Sequence, residues 1–138
     1  MPIGGPLRCA AMPNRPAIVR IEEAKADDHT KVTITLAWHD AEFSGEAVGL
    51  SDDATRPRLI GEATLRAVEQ VAGGRITLSL GAVATTELGP SQVAMAQVAL
   101  DGDSGSFVGS ALLDDRDASA ATVKAVLDAI NRRLERVL

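Results

Sequence analysis

Apolar and polar residues alternate along this chain in an order that occurs twice. In each half, three stretches with apolar residues at every second position precede one longer stretch with apolar residues three and four apart. A period of two predicts a strand with one buried face, and the wider spacing predicts an amphipathic helix. We therefore expect the order βββα-βββα, with one unit at residues 17–73 and a second at residues 74–138.

The first unit has the clearest strand pattern. Its middle strand places four apolar side chains on one face: Val32, Ile34, Leu36 and Trp38. Before this strand, Val19 and Ile21 alternate with Arg20 and Glu22, which indicates a strand with one wet face. After it, residues 42–50 form a third predicted strand. A turn separates each pair, so the three strands should pair as a meander.

A helix is predicted to close each unit. The first begins after the capping residues 51–55, has Pro57 in its first turn and ends before the glycine pair at 73–74. The second unit has predicted strands from Ile76 to about Thr86, at 93–100 and at 106–113. Its helix, capped by Asp117 or Ser119, has apolar residues at six positions with helical spacing: Val123, Val126, Leu127, Ile130, Leu134 and Val137.

The two phenylalanines mark the repeat. Phe43-Ser44-Gly45-Glu46-Ala47 has its counterpart in Phe107-Val108-Gly109-Ser110-Ala111, 64 positions later. Matched halves usually share one core around a pseudo-twofold axis. We predict an α+β fold, a duplicated βββα-βββα module of antiparallel sheets with the helices packed on one face. The two matched glycines would let a helix approach its sheet closely.

Composition limits the partners. Apolar residues make up 46% of the chain and aromatic residues 2%, so an aliphatic core with apolar surface to spare is expected, and a homodimer would cover it. The net charge of -5 and the scattered basic residues disfavour nucleic acid. No apolar run approaches the roughly 20 residues of a membrane span. Residues 1–16, which contain the single cysteine Cys9, are predicted to be a flexible tail without signal-peptide character, and the location is expected to be cytoplasmic.

Candidate chemistry is sparse. The segment at 101–106 contains a Gly-Asp-Ser-Gly run and alternating aspartates, but the residue types are those of a hairpin turn, and a calcium loop would need a carboxylate where Leu112 stands. His29 and His39 are placed in turns, away from any serine nucleophile. Glu62 is expected to pair with Arg58 and Arg66 on the helix surface. We predict no catalytic residues, no metal site and no cofactor, and hence no enzyme.

The closing segment Leu127-Asp128-Ala129-Ile130-Asn131-Arg132, after two βββα units, resembles the C-terminal regulatory domain of 2-isopropylmalate synthase and its citramalate synthase relatives. The resemblance covers residues 17–138 and is strongest at 78–84 and 93–100, with Gly109 and Asn131. It implies a duplicated βββα fold, a homodimer and a site for a branched-chain amino acid. Because the chain contains neither a catalytic barrel nor its metal-binding histidines, synthase activity is not expected of it.

A regulatory module of this kind would bind its ligand where the third strand of each unit leads into the helix. Helix N-terminal amides there could receive a carboxylate, and aspartates could receive an amino group. The candidate residues are Gly49, Ser51, Asp52, Asp53, Thr55, Asp114, Asp117 and Ser119. Two alternatives stay open at this point: a small hotdog-type acyl-CoA thioesterase, whose fold is organised around one central helix, and an assembly or scaffold protein that binds another chain.

Overall fold

The computed structural model of the chain describes residues 16–102, 105–113 and 118–137. Its elements, in order, are β1 (Ala17–Ala26), β2 (His29–Trp38), β3 (Ala41–Leu50), α1 (Arg56–Val71), β4 (Leu78–Leu88), β5 (Ser91–Leu100), β6 (Phe107–Leu112) and α2 (Ala118–Val137). The strands form two antiparallel three-stranded sheets, ordered β1-β2-β3 and β4-β5-β6. The predicted βββα-βββα order is confirmed. The predicted tail at 1–16 lies outside the described residues except for Pro16.

The strand registers show that the two units are copies. Gly45 lies opposite Ile34 in the first sheet, and Gly109 lies opposite Ala96 in the second. Phe43 and Phe107 likewise occupy matching positions, opposite Leu36 and Val98. The first strand of each sheet has a register shift at the same place, between Ile18 and Arg20 in β1 and between Leu80 and Ala82 in β4. Matching irregularities of this kind support duplication more strongly than matching residue types do, because a bulge is a specific backbone feature.

The bulge in β1 corrects one expectation from the residue pattern. Strict alternation placed Val19 and Ile21 on the same face of the strand. The extra residue instead directs Ile18 and Ile21 toward the core, and Val19 is 40% exposed. A single inserted residue reverses the face of every position that follows it, because side chains alternate with a period of two.

Each helix packs on the inner face of its own sheet, and glycine makes this approach possible. A Cβ atom on Gly45 would lie 2.1 Å from the backbone nitrogen of Ala67, and one on Gly109 would lie 2.2 Å from that of Ala129. Any side chain at these positions would push the helix off the sheet. Helix α1 also contacts α2 and β4, so the core is continuous between the units. It contains mainly Val, Leu, Ile and Ala.

The polar backbone at the α1 boundaries is largely satisfied locally. The amides of Gly73 and Gly74 donate to the carbonyls of Gln70 and Glu69, both at 3.0 Å, which is the pattern of a Schellman motif. Both glycines have positive φ, so the predicted helix end is confirmed. In α2, Ser119 falls inside the first turn rather than at the capping position expected for it.

Side chains from α1 cover the free edge of β4. Glu69 accepts a hydrogen bond from the backbone amide of Leu78 at 2.7 Å, and Arg66 donates to the carbonyl of the same residue at 2.6 Å. Arg58 donates to the carbonyl of Leu80 at 3.1 Å. An uncovered strand edge invites pairing with another chain, and these side chains prevent it along this part of β4. They also connect the two units.

The two sheets differ on the face that points away from the helices. In the first sheet this face carries ion pairs between neighbouring strands, Arg20 with Glu42 at 3.3 Å and Lys31 with Glu46 at 3.7 Å. We call it the charged outer face. The outward positions of the second sheet are Ser79, Ala82, Ala84, Thr86, Leu88, Ser91, Val93, Met95, Gln97, Ala99, Val108, Ser110 and Leu112. None of these residues carries a charge, and we call this the uncharged outer face.

Candidate functional site

A cleft of about 270 Å³ opens at the junction between β3 and α1. Antiparallel pairing brings the end of β1, the start of β2 and the end of β3 to one edge of the first sheet, and α1 begins beside them. The residues that line the cleft are Glu23, Lys25, Thr30, Leu50, Ser51, Asp52, Asp53, Arg56 and Leu59. The site predicted from the sequence at residues 49–55 therefore borders a real depression.

Hydrogen bonds between the β3–α1 junction and the β1–β2 hairpin hold the base of the cleft in place. The hydroxyl groups of Thr30 and Ser51 bond to each other, and Thr30 is buried. The amide of Ser51 donates to the carbonyl of Asp28 at 2.8 Å, which ties the β3–α1 junction to the β1–β2 turn. Because these bonds fix the backbone between β3 and α1, the polar side chains around the cleft are presented from a rigid support.

Asp52 stabilises the start of α1 through hydrogen bonds. Its carboxylate accepts a hydrogen bond from the backbone amide of Thr55 at 2.7 Å, and its carbonyl accepts one from the amide of Arg56 at 3.1 Å. Hydrogen bonds from Thr55, its hydroxyl first and its amide second, lower the pKa of the Asp52 carboxyl. Thr55 is the N-cap residue but makes no side-chain capping bond. Since Asp52 already occupies the Thr55 amide, a ligand carboxylate must bind to another group.

Arg56 is also engaged, and it links the two units. Its guanidinium bonds both carboxylate oxygens of Glu23, with Nε at 2.9 and 3.1 Å. The same guanidinium donates to the hydroxyl of Ser119, at the start of α2, at 3.1 Å. Bidentate arginine–carboxylate pairs hold both partners in one orientation. Arg56 therefore fixes one wall of the cleft and connects that wall to the second unit.

Lys25 and Asp53 remain available. Both line the cleft, both are exposed, and neither makes an ion pair or side-chain hydrogen bond with any residue that the structure describes. Leu50 and Leu59 add apolar surface beside them. The cleft thus offers one unpaired cation, one unpaired anion and an apolar wall. This combination suits a small zwitterion with an apolar side chain.

Only some of the predicted site residues line the cleft. Ser51, Asp52 and Asp53 line the cleft, and Thr55 borders it through its bond to Asp52. Gly49 does not line it, because its α-carbon faces the side chain of Leu59.

The second predicted junction is only partly visible. Ser119 reaches the first site through Arg56, whereas Asp114 and Asp117 lie outside the described residues. A ligand site at the β6–α2 junction stays a prediction.

Two residues of β1 line the cleft, although the sequence did not assign them to the site. Glu23 and Lys25 face the helix side of the sheet, two and four positions after Ile21, where the apolar pattern of that face ends. A charged residue on the inward side of a strand is a signal that can be read from sequence. The bulge does not obscure this signal, because Ile21, Glu23 and Lys25 all follow it in unbroken register.

A second depression of about 410 Å³ lies between the edges of β3 and β4, over α1. Its charged side chains are already paired: Arg58 with Glu62 at 3.3 Å, Arg66 with the carboxylate of Glu69 at 3.5 Å, and Glu46 with Lys31. The predicted pairing of Glu62 with Arg58 is confirmed, whereas Arg66 pairs with Glu69. Paired groups leave less to recognise a ligand, so we take the first cleft as the candidate site.

The described residues contain no group of three or more histidine, cysteine, aspartate or glutamate side chains placed to hold a metal ion. His29 bonds the adjacent Asp28 at 2.8 Å at an exposed turn. His39 stacks on Trp38 and, with Asp40, forms the two-residue β2–β3 turn in which both residues have positive φ. His39 lies at the β2–β3 hairpin end, as predicted, whereas His29 is the first residue of β2 and follows the turn that was expected to contain it.

Comparisons with known proteins do not extend this description. No protein-family model matches the chain, and no curated protein matches it. The resemblance to the 2-isopropylmalate synthase regulatory domain stays a prediction. Within the described residues, no helix has an apolar stretch long enough to cross a bilayer.

Proposed function

We propose that this protein is a non-catalytic, dimeric, cytoplasmic regulatory module that binds a small zwitterionic ligand, such as an amino acid, in the cleft at the β3–α1 junction. The observation that carries the proposal is the pair of opposite charges Lys25 and Asp53, which make no ion pair with any described residue, beside the apolar side chains of Leu50 and Leu59. Each part of an aliphatic amino acid has a complementary group here.

The charges assign an orientation to the ligand. Lys25 is the cation that receives the carboxylate, because Arg56 is committed to Glu23. Asp53 receives the ammonium group, because the Asp52 carboxylate is committed to Thr55. Both groups are exposed, so each ion pair contributes up to about 1 kcal/mol, and apolar contact with Leu50 and Leu59 supplies part of the remaining affinity.

The size of the cleft supports a small ligand. Its 270 Å³ is just below the roughly 300 to 1,000 Å³ of sites for drug-sized molecules. An amino acid with a short aliphatic side chain fits this range. An acyl-CoA thioester is far larger, and the structure has two equivalent helices rather than one central helix, so these observations disfavour the hotdog thioesterase alternative.

Regulation follows from the position of Arg56. Its contacts with Glu23 and Ser119 join a wall of the cleft to the start of α2. A ligand carboxylate bound by Lys25 would lie beside the Glu23 carboxylate that holds Arg56. Repulsion between the two carboxylates would weaken this link, and the second unit would sense occupancy of the first. Coupling requires that ligand contacts differ between two arrangements of the protein, here one with the Arg56–Glu23 pair intact and one with it weakened.

Isothermal titration with L-valine, L-leucine and L-isoleucine tests the proposal. We expect at least one of them to bind, and two analogues of leucine to fail: isoamylamine, which lacks the carboxylate, and 4-methylpentanoate, which lacks the ammonium group. Thermal shift provides a parallel readout, because a ligand at about 100 times its Kd adds about 2.7 kcal/mol of stability.

Matched variants locate the site. Lys25→Met and Asp53→Asn should each weaken binding by roughly two- to fivefold, because each removes one exposed charged partner of the ligand. Lys124→Met, on the exposed side of α2, and Asp40→Asn, in the distant β2–β3 turn, make the same chemical changes away from the cleft and should bind as the wild type does. If no amino acid binds, or if all four variants bind alike, the cleft is not the site.

A further inference from the structure

The outer faces of the two sheets should be identical in character if only the fold shaped them, and they are not. Duplication gives both sheets the same register, the same bulge and the same glycine-mediated helix contact. The charged outer face nevertheless carries cross-strand ion pairs, whereas the uncharged outer face carries none. A βββα unit of this kind therefore tolerates charges on its outer face, and the fold does not explain their absence from the second sheet.

We infer that the uncharged outer face of the second sheet is the surface on which two copies of this chain associate. This inference specifies the dimer of the proposed function. Its main apolar contributors are Met95 on the central strand and Val108 and Leu112 on β6. Val108 is 61% exposed and Leu112 is 58% exposed in a single chain.

A second copy is the occupant that this face fits best. A partner that bears charges would lose their hydration against this surface without gaining an opposite charge, which disfavours nucleic acid and charged peptides. The face has no basic residues for an anionic lipid surface. In a twofold-symmetric pair the same patch of both chains forms the contact. The apolar side chains of one copy therefore pack on those of the other, and no charge is buried. Each chain carries a net charge of -5, which opposes association, and this face has no charged side chain that would add to the repulsion at the contact.

The dimensions of the face predict the strength of the dimer. Three strands about 4.8 Å apart, at about 3.3 Å per residue over the 6 residues of β6 and the 10 of β5, give a flat area of roughly 300 to 480 Å². Stable dimers bury about 800 Å² per partner, and smaller interfaces belong mostly to transient complexes. We therefore expect a dimer in rapid exchange, with a dissociation constant in the micromolar range.

Analytical ultracentrifugation of the full chain over a concentration series tests this inference. The wild type should approach twice the 14.4 kDa of one chain as concentration rises. Val108→Lys should remain monomeric, with a dissociation constant raised by about tenfold or more, because the twofold axis places two lysines in an apolar contact. Leu112→Lys, on the same strand, should act in the same way.

Val48→Lys is the matched control. Val48 is also 61% exposed and also lies outward on the third strand of its sheet, but on the charged outer face. This variant should associate as the wild type does. Circular dichroism of all three variants checks that they are folded. A wild type that stays monomeric throughout, a Val108→Lys protein that associates normally, or equal dissociation of Val48→Lys would each overturn the inference.

The same proteins separate this inference from the ligand site. Every residue that lines the cleft belongs to one chain, so monomeric Val108→Lys should still bind the amino acid that the wild type binds. Loss of association with retained binding supports the interface. Normal association of Val108→Lys, together with weaker binding in Lys25→Met, would refute the interface and leave the cleft standing.

Discussion

Gly45→Ala should destabilise the protein more than the same substitution at any other glycine of the first sheet. The new Cβ would lie 2.1 Å from the amide nitrogen of Ala67 and 2.4 Å from the carbonyl oxygen of Ala63. Both are backbone atoms of α1, so no side-chain rotation relieves the clash. Ordinary contacts begin at 3.4 Å, so the helix must withdraw from the sheet by about 1.3 Å, the difference between 3.4 and 2.1 Å.

That withdrawal sets the magnitude. A gap of 0.5 to 1 Å already forfeits a quarter to a half of the attraction between packed atoms. Because α1 packs on β2 and β3 through buried residues such as Leu59, Ile60 and Val68, the loss spreads along the helix. We expect a decrease of about 3 kcal/mol or more in the free energy of unfolding, at or beyond the upper end of the usual range for overpacking. For a chain of this length that corresponds to a Tm lower by roughly 10 °C.

Urea denaturation followed by circular dichroism measures the effect. Gly109→Ala should cost a similar amount, since its Cβ would lie 2.2 Å from the amide nitrogen of Ala129. Gly81→Ala is the control, because its Cβ would lie 3.2 Å from the flexible side chain of Gln97 and 3.3 Å from the Gln97 carbonyl oxygen. These contacts are only slightly tight, so its effect should stay within about 1 kcal/mol. If Gly45→Ala and Gly81→Ala unfold at the same urea concentration, the glycine does not set the helix–sheet distance.

Two further substitutions test the junctions around the helices. Glu69→Ala removes the acceptor for the buried Leu78 amide, so the free energy of unfolding measured by urea denaturation should fall by about 1 to 3 kcal/mol. Glu62→Ala is the control: it breaks only an exposed ion pair and should lower that free energy by less than about 1 kcal/mol. Equal effects of the two substitutions would contradict this account. Asp52→Ala should lower Tm near neutral pH and have less effect in acid. Hydrogen bonds from Thr55 lower the pKa of Asp52 in the folded state, so its contribution is present above the unfolded pKa of about 3.9 and is lost as pH falls through the folded value. A Tm difference that is independent of pH would show that the carboxylate charge is not involved.

The candidate site was only half accessible from sequence. Its β3–α1 loop could be placed because residues such as Ser51, Asp52 and Asp53 end a strand and precede a helix, and strand-to-helix junctions are frequent ligand sites. Glu23 and Lys25 could not be placed there. They lie about thirty positions earlier in the chain, and they reach the cleft only because β1 pairs antiparallel with β2. Arg56 resembled an ordinary helix residue until its partners Glu23 and Ser119 were known.

The repeated pattern alone determined the order of the elements, the duplication and the role of Gly45 and Gly109, because periodicity and the lack of a Cβ are local properties that need no partner. The tertiary structure decided which residues share a face and which charges meet. The bulge at Val19 shifts the face of every side chain that precedes it relative to those that follow, and only pairing with β2 reveals it. The contrast between the charged and uncharged outer faces depends on register in the same way, since it concerns side chains brought together across strands rather than along the chain.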